Sequence, residues 1–301
     1  MPETPVAVRQ DAVRETFDTL GQRVFSPIEL RKIVKGNRDR WFTDDEKVDT
    51  WPVESRNIAS IVATLGAHGV LNKVDLPFPH RKYNRFTCGD VDSLELLQSV
   101  DSNAYFCHYT AMYLHGLTTQ IPKVVYLNVE QAGTGRQAKL SQEAIDRAFR
   151  VKCRLSSNMI ELGGQRVFKL NGRNTGKLGV VDLSVEGVQS PLRITNIERT
   201  LIDATVRPVY AGGVGQVAEA YGAAAGRVSV NKMAAYLKKL AFNYPYHQAV
   251  GFYLERTGAC KASQIELLRE FPMEFDFYLT YEMRDPDYNE RWRLFIPKGF
   301  Q

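Results

Sequence analysis

The chain has 301 residues, 44% hydrophobic and 24% charged, and carries a formal net charge of +5. This is an ordinary globular composition, and the length suggests about two domains at roughly 100–200 residues each. No run of about 18 apolar residues occurs, so no transmembrane helix is expected. The opening MPETPVAVRQDAVRETF has acids and no apolar stretch, which argues against a secretory signal.

The four cysteines, at 88, 107, 153 and 260, make no CxxC pair. They suit a reduced, cytoplasmic setting in which each acts as a small apolar residue. Charge is blocked near the start. Residues 20–40 carry Arg23, Arg31, Lys32, Lys35, Arg38 and Arg40 against Glu29 and Asp39. Residues 41–54 are acidic, with Asp44, Asp45, Glu46, Asp49 and Glu54 against Lys47. Residues 55–88 turn basic again, with Arg56, Lys73, Arg81, Lys82 and Arg85 against Asp75. A solvated surface also produces such blocks, so they decide little alone.

In chain order, Val13, Phe17 and Leu20 form a helical stripe over 9–20. Ser26-Pro27 opens a second helix in FSPIELRKIVKG, because serine caps well and proline suits the first helical position; Gly36 ends it. A polar loop is expected from Asn37 to Trp51. A third helix is predicted over 53–65, with Ile58, Ile61, Val62 and Leu65 inward and Arg56, Asn57, Ser60 and Thr64 outward. Strands are predicted at 70–74 and 83–87, joined by a turn holding His80-Arg81-Lys82. Three helices and a hairpin are the order of a winged helix-turn-helix, whose third helix enters the major groove. Residues 91–100 read as a connecting helix, and the pattern then changes.

Beyond it, strands are predicted at 123–129, 165–170, 178–185 and 192–194. Thr195 and Glu198 have capping-box spacing ahead of a helix with Ile197 and Leu201 inward. Further helices are predicted from Gly213–Val214, after Ser229, and over 246–257 with Gly258 closing the last. Strands return at 275–281 and 291–296.

The stretch YFCHYTAMYLHGL at 105–117 poses a choice between a metal site and a core helix. His108 and His115 could share a helix face, but the other three histidines lie in different elements and no HExxH or CxxC accompanies them. A core helix fits better, with Tyr109, Met112, Tyr113 and Leu114 inward and Gly116 as its C-cap. No metal or cofactor is expected.

Extended to YFCHYTAMYLHGLTTQIPKVVYLNVEQ, the same stretch resembles the segment that marks AbiEi-type antitoxins of type IV toxin–antitoxin systems. ITNIERTLIDATVRPVYAGGVGQVAEAY and YLKKLAFNYPYHQAVGFYLERTG resemble the same family, so the likeness spans about residue 8 to residue 260. It implies a winged helix that binds and represses the promoter of its own operon. It also implies a C-terminal domain that counteracts a nucleotidyltransferase-like toxin encoded beside it, in phage defence or plasmid maintenance, typically without a stable complex.

From the residues alone, Arg56 and Asn57 suit guanine and adenine edges. Ser60 and Thr64 face the same way. Lys73, His80, Arg81, Lys82 and Arg85 are candidate phosphate contacts on operator DNA. A solvated helix face and a charged turn are the plain alternative.

An enzyme would need a site. Asp182, Glu186, Glu198 and Asp203 with Lys169 or Lys177 could form a metal-dependent nuclease. However, Glu198 is read as a capping partner and Asp203 as a pair for Arg207. AGGVG lacks the Lys-Ser/Thr of a phosphate-binding loop, and no GxSxG occurs. No catalysis is expected. Arg193, Arg199, Arg207, Lys238 and Lys239 form a candidate antitoxin surface that could meet RNA, although a plain solvated basic face is the favoured reading of the residues.

The expected fold class is α+β: a winged helix-turn-helix over 1–90, then a mixed α/β domain over 91–301. The expected function is an autorepressing antitoxin. The alternative is a winged-helix regulator with an unrelated ligand-sensing C-terminal domain.

Overall fold

The computed structural model describes residues 6–43, 48–132 and 139–300. The chain is a mixed α+β protein in two compact units, Met1–Ser102 with Ser184–Pro191, and Asn103–Leu183 with Leu192–Gln301. No helix among the described residues is long and apolar enough to cross a membrane.

The first unit runs β1 (Val6–Arg9), α1 (Gln10–Thr19), β2 (Val24–Phe25), α2 (Pro27–Gly36), α3 (Arg38–Trp41), β3 (Phe42–Thr43), β4 (Thr50–Val53), α4 (Ile58–Ala67), β5 (Asn72–Phe78), β6 (Arg81–Thr87) and α5 (Ser93–Gln98). Helix α2 starts where Ser26 accepts the Glu29 amide and Glu29 accepts the Ser26 amide, a reciprocal cap that satisfies two orphan donors. One three-stranded sheet has the order β3-β1-β4 and the other β2-β6-β5. Val13, Phe17, Phe25, Leu30, Val34, Ile61 and Leu65 fill the core between them. Residues 184–191 join this unit through Ser190 Oγ, which donates to Glu95 at 3.0 Å, and the Pro191 carbonyl, which accepts from Gln98 at 3.0 Å.

The expected polar loop at 37–51 is instead α3, β3 and the start of β4. Its aromatic residues pull it inward: Trp41 is fully buried and its Nε1 donates to Thr16 at 3.0 Å, while Trp51 stacks on His68 at 4.7 Å. Asp44, Asp45, Glu46 and Lys47 of the acidic block lie outside the described residues. The third large helix begins at Ile58, not at 53, because Thr50–Val53 pairs with β1. Leu20, placed on the first helix's stripe, lies beyond its end and is 43% exposed. The hairpin is longer than predicted, with seven residues in each strand and only Pro79-His80 between them.

The second unit runs β7 (Tyr105–Phe106), α6 (His108–Leu114), β8 (Val124–Gln131), α7 (Gln142–Arg150), β9 (Met159–Leu162), β10 (Gln165–Arg173), β11 (Val180–Leu183), β12 (Leu192–Thr195), α8 (Ile197–Val206), α9 (Val214–Ala223), α10 (Val230–Leu240), α11 (Tyr246–Arg256), α12 (Ala262–Arg269), β13 (Phe277–Tyr278), β14 (Asp287–Asn289) and β15 (Leu294–Ile296). Six strands form a mixed sheet of order β11-β12-β7-β8-β10-β9, with β8 parallel to β10 and β7 parallel to β12. Helices α6 to α12 build the largest core with β13 and β15.

Within 105–117, the helix buries Thr110, Ala111 and Met112, whereas Tyr113 is 37% exposed. Gly116 adopts φ +65°, as a C-cap glycine should. His115 Nε2 donates to the Thr195 carbonyl at 2.7 Å. The expected capping box of Thr195 and Glu198 does not form. Asn196 caps α8, accepting the Arg199 amide at 3.0 Å, because Glu198 turns to Lys232 at 3.1 Å and to the Ser229 amide. Helices α7 and α12 and strands β9 and β14 were not foreseen.

Gly251 on α11 faces the fully buried Trp292, whose ring would lie 2.2 Å from an added Cβ. Overpacking of this kind costs about 1–3 kcal/mol or more. Gly251→Ala is therefore expected to lower the urea midpoint, and adding Trp292→Leu to restore part of the loss. A wild-type midpoint for Gly251→Ala would show that this contact does not constrain the core.

Candidate functional site

Two regions collect the charged residues singled out from the sequence. In the first unit the hairpin tip is basic and open: His80, Arg81 and Lys82 are exposed, and so is Lys73 at the far end of the hairpin. Lys73 is paired with Asp75 at 3.2 Å, and Arg81 lies over the Tyr83 ring at 5.0 Å. Arg31, Lys32 and Lys35 on α2 are exposed as well.

Arg85, placed among the phosphate contacts, is not available. It is 7% exposed, and its guanidinium donates to Ser99 Oγ at 2.9 Å and to the carbonyls of Ser99 and Asn84. Strand alternation puts it inward, and the end of α5 supplies the acceptors.

Asn57 is not in the first turn of the reading helix. It is the N-cap of α4, its side chain accepting the Ser60 amide at 2.8 Å and donating to Ser55. Its amide is thus occupied in holding the helix start, not free for adenine. Ser60 Oγ accepts the Ser55 amide at 3.3 Å, and Thr64 is half-buried. Arg56 precedes the helix and is exposed, 5.2 Å from the Phe42 ring, with its carbonyl accepting from Arg38. The exposed face of α4 is made of Ala59, Ala63, Gly66 and Ala67.

In the second unit a cleft of about 910 Å³ opens above the β7, β8 and β10 part of the sheet, beside α8. Its floor is a hydrogen-bond chain. The Gly172 amide donates to Asn128 Oδ1 at 2.9 Å, and Asn128 Nδ2 donates to Tyr105 Oη at 2.7 Å. Tyr105 Oη in turn donates to Glu130 at 3.1 Å. A Cβ on Gly172 would sit 2.7 Å from Asn128, so glycine lets the two strands' groups meet. Burial pushes the Glu130 carboxyl up, but the Thr175 hydroxyl and the amides of Thr175 and Lys177, at 3.0 and 3.1 Å, donate to it and hold it below the usual range.

Arg199 continues the chain. It donates to the Leu178 carbonyl at 2.8 Å and to Asp203 at 2.7 Å. At 6% exposure it is no part of a solvated basic face, and Asp203 pairs with it rather than with Arg207. Burial works against its charge, but Asp203 outweighs that and raises its pKa. Arg207 meets Cys153 Sγ at 3.0 Å instead. Arg193 is half-buried, donating to the Ala104 carbonyl at 2.9 Å. Lys238 and Lys239 are exposed, Lys238 over the Phe271 ring at 5.5 Å. Of the five proposed surface cations, then, only Arg199 and Arg207 line the cleft. Tyr246 and His247, at the start of α11, are buried.

His108 lines the cleft in a left-handed conformation, φ +50°, which is uncommon for a side chain of its kind and marks a constrained position. Its ring packs against Tyr126 and Tyr210 at 6.0 and 5.4 Å, and Nδ1 lies 3.0 Å from Cys107 Sγ. Burial lowers its pKa to about 4, against a smaller opposing pull from Asp203. Burial likewise raises the Cys107 thiol, so it is held as the unreactive thiol. No group of three or more His, Cys, Asp or Glu residues that could hold a metal ion occurs among the described residues. The cleft was invisible to sequence reading because its walls come from positions between 105 and 243.

No family model matches the chain, and no curated protein matches it. A solved structure, the RV2827C protein from Mycobacterium tuberculosis, is similar with a TM-score of 0.58 at 12% identity, covering 97% of this chain and 96% of that one. At that identity the likeness extends to the fold alone.

Removing one partner of a buried ion pair costs about 3–5 kcal/mol. Asp203→Leu strands Arg199 and is expected to destabilise the protein by that order in urea titration; a loss below about 1 kcal/mol would mean the pair is solvated. His108 titrates near 6.5 in the unfolded chain and near 4 when folded, so the unfolded chain binds more protons between these values. Stability should therefore fall as pH drops from 6.5 to 4. His108→Asn, which tolerates the left-handed backbone, should flatten that slope, and an identical pH profile in the variant would refute the assignment.

Proposed function

We propose that the chain is a DNA-binding autorepressor and the antitoxin of a nucleotidyltransferase-like toxin. The single observation that carries the DNA-binding part is the topology of the first unit. Strand β2 lies between α1 and α2 and pairs with β6, the second strand of the hairpin that follows α4. Helix, strand, helix, helix and hairpin in that pairing are the order a winged helix-turn-helix needs. On this reading α3, β3 and β4 are an insertion ahead of the reading helix. The wing is the hairpin tip, with His80, Arg81 and Lys82 open to phosphates.

The small residues on α4 allow close approach to the groove but offer few hydrogen bonds. Arg56 is then the main base-reading candidate, and phosphate contacts and DNA shape carry much of the affinity. The antitoxin part rests on the three sequence blocks that resemble the AbiEi type. They supply β7, α6 and β8, then α8 and α9, then α10 and α11; the helices among these pack in one core of the second unit. A regulator whose second unit senses a small ligand is the alternative, and the 910 Å³ cleft favours it.

Binding to the chain's own upstream promoter fragment tests the first part. Arg81→Ala with Lys82→Ala is expected to weaken binding across sequences and lower the salt slope by about 2, one for each phosphate no longer neutralised. Arg56→Ala is expected to cost about 1–3 kcal/mol on the operator and little on unrelated DNA. Unchanged affinity in both variants would remove the hairpin and Arg56 from the interface. Induction of the neighbouring toxin gene tests the second part. The full chain and the hairpin variant should both restore growth. If the full chain does not, the ligand-sensing regulator takes precedence.

A further inference from the structure

The second-unit cleft holds an excess of cations that the hydrogen-bond chain on its floor does not use. Arg154, Arg173, Arg199 and Arg207 line it, and Asp203 is the one acidic residue among the described residues of its lining. Arg199 already occupies that carboxylate at 2.7 Å. The other three have no ion-pair partner among the described residues.

The three are held differently. Arg173 is exposed and donates to the carbonyls of Leu240 and Ala241 at the C-terminal end of α10, which orients its guanidinium without neutralising it. Arg207 is half-buried, and its hydrogen-bond partner is the Cys153 thiol, a weak acceptor. Arg154 is exposed at the rim. Keeping the Arg207 guanidinium partly out of water without a counter-charge is unfavourable unless an anion takes that place, and Arg173 and Arg154 stand open to the same anion. The neutral polar groups of the lining, Asn171, Asn243 and Ser156, stand beside these cations, and Tyr210 and Phe242 supply apolar wall.

We infer that this cleft binds a phosphate monoester of about nucleotide size. A carboxylate is saturated by one guanidinium fork, whereas a phosphate dianion presents three acceptor oxygens and can meet several. The volume of about 910 Å³ is far larger than a phosphate needs and falls in the range of small-molecule pockets, so the phosphate arrives on an organic body. The inference stands on the second unit alone and is independent of operator binding and of toxin rescue.

Isothermal titration of the full chain at fixed ionic strength tests it, with AMP, ribose 5-phosphate, inorganic phosphate and adenosine as probes. AMP or ribose 5-phosphate is expected to bind, inorganic phosphate more weakly, and adenosine not measurably. Arg154→Gln, at an exposed position, and Arg207→Gln are each expected to weaken binding of the phosphorylated probe about tenfold or more, the effect of losing one charge-assisted hydrogen bond. The melting temperature of Arg154→Gln should stay at the wild-type value, so that variant decides the matter if Arg207→Gln fails to fold. Absence of heat with both phosphate monoesters overturns the inference, as does equal binding of adenosine and AMP. Undiminished AMP binding in Arg154→Gln also overturns it. Binding of a single-stranded RNA oligonucleotide without binding of AMP would replace it with a phosphodiester-tracking surface.

Discussion

Helix α8 is buried almost all round, yet it carries Glu198, Arg199 and Asp203. That constraint sets the terms for the second unit. Placing an ion out of water costs several kcal/mol after relaxation, so each of these charges has to find its partner before the apolar packing counts. Arg199 and Asp203 solve the problem within the helix, at i and i+4. Glu198 cannot, and it is met by Lys232 and by the Ser229 amide at the start of α10. Asn196, capping α8, also donates to Tyr236 of α10 at 2.9 Å. The two helices are thereby pinned by polar contacts whose geometry allows one register. Leu201, Ile202 and Ala204 add apolar burial that is nondirectional and would tolerate others.

The same helix shows what was legible in the sequence and what was not. Its apolar stripe was plain, and so were α2, α10 and α11, because periodicity is a local property. The assignment of its charges was wrong because partners are not local. Thr195 and Asn196 are both good caps, and only Lys232, thirty-four positions beyond Glu198, explains why the second is used. Arg85 looked like a wing cation for the same reason: nothing near it in the chain reveals that Ser99 would supply its acceptors. Helix α7 escaped notice although Ser141 caps it and Ile145 and Phe149 are buried four residues apart. Two inward positions among seven polar or small ones make a weak periodic signal. The segment at 37–51 went the other way. Its charge suggested a loop, but Trp41 and Trp51 decided its place, since two buried indoles outweigh a few solvated charges in transfer free energy.

The basic regions of the two units carry different weights as evidence, and burial is the reason. On the hairpin of the first unit, Arg81 and Lys82 stand in water, where a cation is stable without any partner. Their presence is compatible with DNA but does not require it, so the argument there has to come from topology: a short strand β2 paired to the far strand of the hairpin, with α2 and α4 packed beneath. In the second unit Arg207 is held partly out of water against a thiol, whereas Arg173 is exposed and oriented by carbonyl oxygens. There the charge of Arg207 is itself the argument, since a fold that only needed a polar contact at that position could have used an uncharged side chain without the desolvation penalty. The first unit is therefore read from its chain path, and the second from the electrostatics of its cleft.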